Sequence, residues 1–153
     1  MIHGSTIVLR IVIGIIAATS ALICLLTLSM LIQGQVGLYS PILLGVYVSM
    51  VPFFIALYQA FQLLGYIDKN KAFSNASVAS LKKIKYAACS FGALYTLGLP
   101  YIYLVADRDD SPGSIVVAMI FAFGAFVAAA FVAISERLFQ NAVDIKSEND
   151  LTV

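Results

Sequence analysis

Within the long apolar runs of this sequence, the residues best equipped for chemistry are Gln59, Gln62 and Tyr66, spaced i, i+3, i+7. On a helix that spacing places three polar side chains on one face. Tyr58 adjoins that face, and Tyr95 and Thr96 interrupt a second apolar run. Amides and phenols donate and accept hydrogen bonds, but without a neighbouring base or nucleophile they do not make a catalytic pair. Two readings stand side by side: a hydrogen-bonded contact between helices, and a small polar pocket open to the cytoplasm.

Other reactive types are sparse. The apolar runs contain no Asp, Glu, Lys, Arg or His. Ionisable groups at such depth are the usual mark of proton relays, ion-coupled transport and voltage sensing. The single histidine, His3, reads as a solvated terminal residue. Cys24 and Cys89 have no second cysteine or histidine at metal-ligand spacing, and read as packing thiols. The expectation is therefore no enzyme activity and no catalytic, cofactor-binding or metal residues. A net charge of +1 gives no argument for direct nucleic-acid binding.

The charged residues gather in two segments. Lys82, Lys83 and Lys85 follow Val78 and Leu81 on an amphipathic stretch, with Ser74 or Asn75 as its N-cap. They suit anionic lipid headgroups or, alternatively, a protein partner. Glu148 and Asp150 make the end of the chain acidic. Such an end is either simply solvated or captured by a basic partner.

The elements that position these residues follow from composition. Of 153 residues, 61% are hydrophobic and only 11% charged, and the mean hydropathy is +0.98. A soluble domain carries about 25% charged residues. This chain cannot cover itself with polar groups, so its outer surface must meet hydrocarbon. No charge occurs over 11–67, 86–106 or 111–135. A helix needs about 20 apolar residues to cross about 30 Å of hydrocarbon. The first run is long enough for two crossings, divided by Gln33, Gly34, Gln35, Gly37 and Pro41. The predicted spans are about 10–32, 41–66, 84–105 and 113–134. Backbone groups in lipid must be satisfied within each segment, which requires helices. The predicted fold is all-α: an integral membrane four-helix bundle forming one domain.

Positive charge orients it. Arg10, five lysines between helices 2 and 3, Arg137 and Lys146 fall on one face, leaving only Arg108 on the other. By the positive-inside rule the N- and C-termini, the loop 68–83 and the tail 136–153 are cytoplasmic. Small-residue pairs, Gly124 with Ala128, Ala125 with Ala129 and Ala133, and Gly14 with Ala18, allow close helix approach within the chain or in a homo-oligomer. Pro52 and Pro100 are expected to kink their helices.

Two stretches carry a family likeness. The loop Ile67-Asp68-Lys69-Asn70-Lys71-Ala72-Phe73-Ser74 with Leu81-Lys82-Lys83-Ile84, and the ending Ser147-Glu148-Asn149-Asp150-Leu151-Thr152-Val153, resemble the YoaS-like family. This is a domain-of-unknown-function family of small bacterial membrane proteins. Its members have four spans and often stand beside a gene for a small helix-turn-helix regulator. The resemblance implies a multi-pass protein of the bacterial inner (plasma) membrane with a link to transcriptional regulation. It implies no activity, cofactor or catalytic residue. The expected function is regulatory or sensory and non-enzymatic, exerted through the loop and tail on a cytoplasmic partner such as a small DNA-binding regulator. The alternative is a small carrier or channel for an uncharged or lipophilic substrate.

Overall fold

The computed structural model describes residues 2–152, with side chains from position 4 onward. The readings placed on His3 and on the terminal carboxylate therefore lie outside the described residues. Four α-helices account for most of the chain: α1 (Ile2–Ile32), α2 (Ser40–Asp68), α3 (Asn75–Arg108) and α4 (Gly113–Leu151). A single 3-10 turn, Gly37–Tyr39, leads into α2. All four helices are long and apolar enough to cross a membrane.

The helices run further than the hydropathy predicts. The first begins at Ile2, so Arg10 lies inside it instead of ahead of it. The last continues without a break to Leu151, so the tail is helical. Hydropathy measures the segment that hydrocarbon can hold, whereas helix ends are set by capping. Ser74 caps α3 by accepting from the Ser77 amide at 3.3 Å. At the other ends, Gly34 and Asn70 adopt left-handed conformations, with φ of 68° and 57°. The following amides reach back, Gln35 to the Met30 carbonyl and Lys71 to the Tyr66 carbonyl. Each closes a Schellman turn that satisfies the last carbonyls of its helix. Asp110, at φ 49°, ends α3 in the same way, with the Ser111 amide on the Ala106 carbonyl.

The helices pack in chain order: α1 on α2, α2 on α3, α3 on α4, the last two contacts being the extensive ones. The arrangement is thus an open bundle with α3 at its centre, and α1 and α4 do not close against each other. The central helix is also the least apolar of the four. Its buried residues include Ser77, Ser80, Leu81, Ala87 and Gly92. Gly92 is required by the close approach of α4, because a Cβ there would lie 3.0 Å from the Phe126 ring. Ala118, Ala122 and Ala129 form the buried seam of α4. The outside is apolar, with Leu25 and Phe123 at 66% and 73% exposure. Small and polar groups inside with large apolar groups outside is the expected inversion for helices whose solvent is lipid.

Alternation of direction puts the α1–α2 and α3–α4 connections at one end. There the Tyr101 hydroxyl donates to the Leu38 carbonyl at 2.9 Å and Tyr39 donates to Asp109. The N-terminus, the α2–α3 connection and the C-terminal part of α4 share the opposite end, where Phe73 stacks at 5.3 Å on Phe139.

Candidate functional site

Polar chemistry concentrates at the end that carries the chain termini. On α1, the residues that are buried or half-buried are mostly polar or small: Thr6, Arg10, Ala17, Ser20, Cys24 and Thr27, with Ile13 and Leu31 among them. Arg10 reaches Asp68, the last residue of α2, at 2.7 Å. Thr6 donates to the other oxygen of that carboxylate at 2.5 Å. The Arg10 guanidinium also lies 5.1 Å above the Phe61 ring, a cation–π arrangement. Gly65 lies under it, where a Cβ would make ordinary van der Waals contact at 3.5 Å from the guanidinium. The Arg10 Nε is buried without a hydrogen-bond partner. Further along the same interface, the Tyr47 hydroxyl donates to the Cys24 carbonyl at 2.7 Å and lies 2.7 Å from the Thr27 hydroxyl.

Beside the ion pair opens a shallow pocket of about 280 Å³. Gln62, Tyr66, Tyr58, Phe61 and Lys69 line it together with Arg10. Two of the three polar residues read as one face are thus brought together here. The Gln62 amide donates to the Tyr58 hydroxyl at 3.0 Å. Gln59 is not part of this lining. It is buried, at 7% exposure, and its Oε1 has no partner. The i, i+3 step turns Gln62 about 60° away from Gln59, enough to separate a pocket wall from a packed interface. The pocket offers two cations, two phenols and an amide, which can bind a polar or anionic group but supply no nucleophile with its base.

The second cluster joins α3 to α4. Lys85 pairs with Glu136 at 2.6 Å, both side chains largely covered, and its ammonium lies 5.1 Å from the Tyr86 ring centre. Lys85 is therefore engaged within the chain, whereas Lys82 and Lys83 are exposed. Glu148 and Asp150 are exposed on the last turns of α4. Asp150 shares a groove of about 390 Å³ with Phe73, Asn75, Val143 and Lys146. Glu148 is not in its lining.

Among the small-residue pairs, Ala125 and Ala129 turn toward the packed side of α4, while Gly124 and Ala128 are exposed. Gly14 and Ala18 are also exposed, off the α2 contact. Gly124, Ala125 and Ala128 form one wall of an apolar groove of about 300 Å³ between α2 and α4, floored by Ala87, Ala88 and Phe91 and faced by Pro52 and Phe53. Tyr95 sits in a row of rings, 4.7 Å from Phe91 and 5.5 Å from Phe121, and Thr96 returns its hydroxyl to the Gly92 carbonyl. Both cysteines are free thiols.

The sequence presents Arg10 as an orienting charge and Lys85 as a candidate lipid or partner contact, and does not single out their partners Asp68 and Glu136. Their pairing depends on helix register, although their position just outside the charge-free runs was a signal that they share one level.

Four long apolar helices with their polar and small faces turned inward define a multi-pass membrane protein. The chain belongs to the family described as protein of unknown function (DUF2975), which matches residues 31–153. It is similar to the uncharacterized membrane protein YoaS of Bacillus subtilis (strain 168), 54% identical over 107 residues, covering 70% of this chain and 67% of that protein. No solved structure matches it.

Proposed function

We propose that this chain is a non-enzymatic regulatory or sensory protein of the bacterial inner membrane. Its termini and α2–α3 connection face the cytoplasm, and that face holds a soluble partner. The length and placement of α4 carry this reading. At about 1.5 Å per residue its 39 residues extend about 58 Å. A bilayer with its headgroups is about 40–45 Å thick. The helix begins at Gly113, just beyond the charged turn Asp107–Asp110, so its excess length lies at the end carrying the chain termini. The α2–α3 connection packs on this projecting part through Phe73 and Phe139. Exposed Lys82, Lys83, Glu148 and Asp150 surround it. The opposite end offers only short connections. A small DNA-binding regulator of transcription fits as the partner, held away from the membrane surface by the projecting hairpin.

Co-purification from solubilised membranes tests the proposal. A soluble protein retained by the full chain should be lost with Lys82→Glu and Lys83→Glu together, or on deletion of the last six residues. Retention unaffected by both changes counts against it. The open groove between α2 and α4 favours a second reading, a carrier for a lipophilic substrate. Transport or resistance that depends on Gly124→Leu, which fills the groove, would favour that reading over the first.

A further inference from the structure

Two stripes run the length of α4, both at heptad spacing. The inner one, Ala118, Ala122, Ala125, Ala129, Val132, Glu136, Phe139 and Val143, alternates steps of four and three and is buried or half-buried. It forms the seam toward α3 and the α2–α3 connection, carrying the Lys85–Glu136 and Phe73–Phe139 contacts. The outer stripe is Val117, Ile120, Gly124, Val127, Phe131, Ile134, Leu138, Asn141 and Ile145, with steps of three and four and no break. Every one of these residues is exposed. At 100° per residue the centres of the two stripes lie about 150° apart, on nearly opposite sides of the helix. Its large residues, all but Asn141, are apolar and more than half exposed.

Hydrocarbon accounts for this outer stripe only as far as Ile134, and Leu138, about 38 Å along the helix from Gly113, stands at headgroup depth. Ile145 lies 32 residues beyond Gly113, about 48 Å along the helix and past the headgroups of a bilayer about 40–45 Å thick. Leu138 and Ile145 nevertheless keep the register of the membrane residues, at 63% and 61% exposure. A 3-4 repeat of large apolar residues sustained over four heptads is the pattern of a coiled-coil seam. Asn141 is its single polar member, and one buried Asn in such a seam fixes register between like helices. From Val117 to Ile145 the stripe is about 44 Å long. With a helix about 10 Å wide, two copies would bury roughly 850 Å² in total, a little below the about 1,000 Å² expected of a specific soluble pair.

We propose that the outer face of α4 is the self-association surface of this protein, pairing with α4 of a second copy in parallel from the membrane into the aqueous phase. Copies inserted in the same orientation can meet about a two-fold axis along the membrane normal, as a parallel seam requires. Gly124 lets the backbones approach within the hydrocarbon, and Leu138, Asn141 and Ile145 fix the register outside it. Ile120 and Gly124 also border the α2–α4 groove, so the partner helix lies across its mouth.

Disulfide trapping in intact membranes tests this, using the full chain with Cys24→Ala and Cys89→Ala. Leu138→Cys and Ile145→Cys should each give a covalent dimer on mild oxidation, since facing seam positions bring their Cα atoms within disulfide reach. Gln140→Cys and Ser147→Cys, equally exposed but off the seam, should give several-fold less. The double variant Leu138→Asp with Ile145→Asp alters only exposed positions, and should halve the mass of the protein in detergent while its helical content is kept. Absence of dimer at positions 138 and 145, or equal yields at all four positions, overturns the proposal. So does quenching of a fluorophore on Ile145→Cys by a lipid-borne quencher, which would place that face on the bilayer.

Discussion

The Arg10 guanidinium and the Asp68 carboxylate lie 2.7 Å apart, and this ion pair joins α1 to the last residue of α2. Of the helix contacts, that of α1 on α2 is the least extensive, and the pair lies at its terminal end. Arg10→Ala or Asp68→Asn should each cost about 1–3 kcal/mol, since either removes the ion pair between two partly covered side chains. Exchanging the two, Arg10→Asp with Asp68→Arg, should recover part of that loss. A double-mutant cycle on unfolding in detergent measures it. Strict additivity of the single changes would show that the two charges do not interact.

The Lys85–Glu136 pair is more enclosed, with side chains 24% and 18% exposed. Lys85→Met alone should destabilise the α3–α4 contact, by leaving the largely covered Glu136 carboxylate without its cation. Lys85→Met combined with Glu136→Leu should return close to the starting stability, because well-packed apolar residues can replace a covered ion pair. Thermal unfolding of the three variants in one detergent checks the order. A double variant weaker than the single one would contradict it.

These pairs also mark what the sequence disclosed. The bilayer imposes a length and a charge-free composition, so the four rods and their alternation were readable from where charges stop. Arg10 and Lys85 were visible as boundary charges, but their partners stand 58 and 51 positions away and are chosen by helix register. No one-dimensional pattern encodes that register. The division between Gln59 and Gln62 was lost for a related reason. A polar stripe on a wheel is broad, and only the lines of approach of the neighbouring helices decide which edge of it is buried. Ser74 is legible in the sequence as an N-cap, whereas hydropathy marks the lipid boundary and is silent on the helix stops that Gly34 and Asn70 set.

Gly92 lies beneath the Phe126 ring. A Cβ added at Gly92 would meet three ring atoms at 3.0–3.1 Å, so Gly92→Leu should push α3 and α4 apart and cost about 1–3 kcal/mol or more. Phe126→Ala, placed in the Gly92→Leu background, should restore part of the stability by giving the new side chain space. Unfolding midpoints of the two variants test this, and a loss unaltered by Phe126→Ala would locate the strain elsewhere.

Gln59 buries an unpartnered carbonyl. Gln59→Leu should therefore leave stability unchanged or raise it by about 1 kcal/mol, as removal of an unsatisfied polar group relieves its desolvation cost. Gln62→Leu, at the pocket wall, should change stability little. If Gln62→Leu assembles normally and cellular function is retained, the Gln62 amide at the pocket wall has no functional role. Marked destabilisation by Gln59→Leu would instead show that the amide has a partner in the membrane.

The account rests on four crossings, with the α1–α2 connection on the opposite side from the α2–α3 connection. Labelling of single cysteines by a membrane-impermeant thiol reagent tests this most directly, in a chain carrying Cys24→Ala and Cys89→Ala. Gln35→Cys and Asp110→Cys should react in intact cells, whereas Lys71→Cys and Lys146→Cys should react only once the membrane is opened. Reaction of Gln35→Cys and Lys71→Cys from the same side would contradict the account.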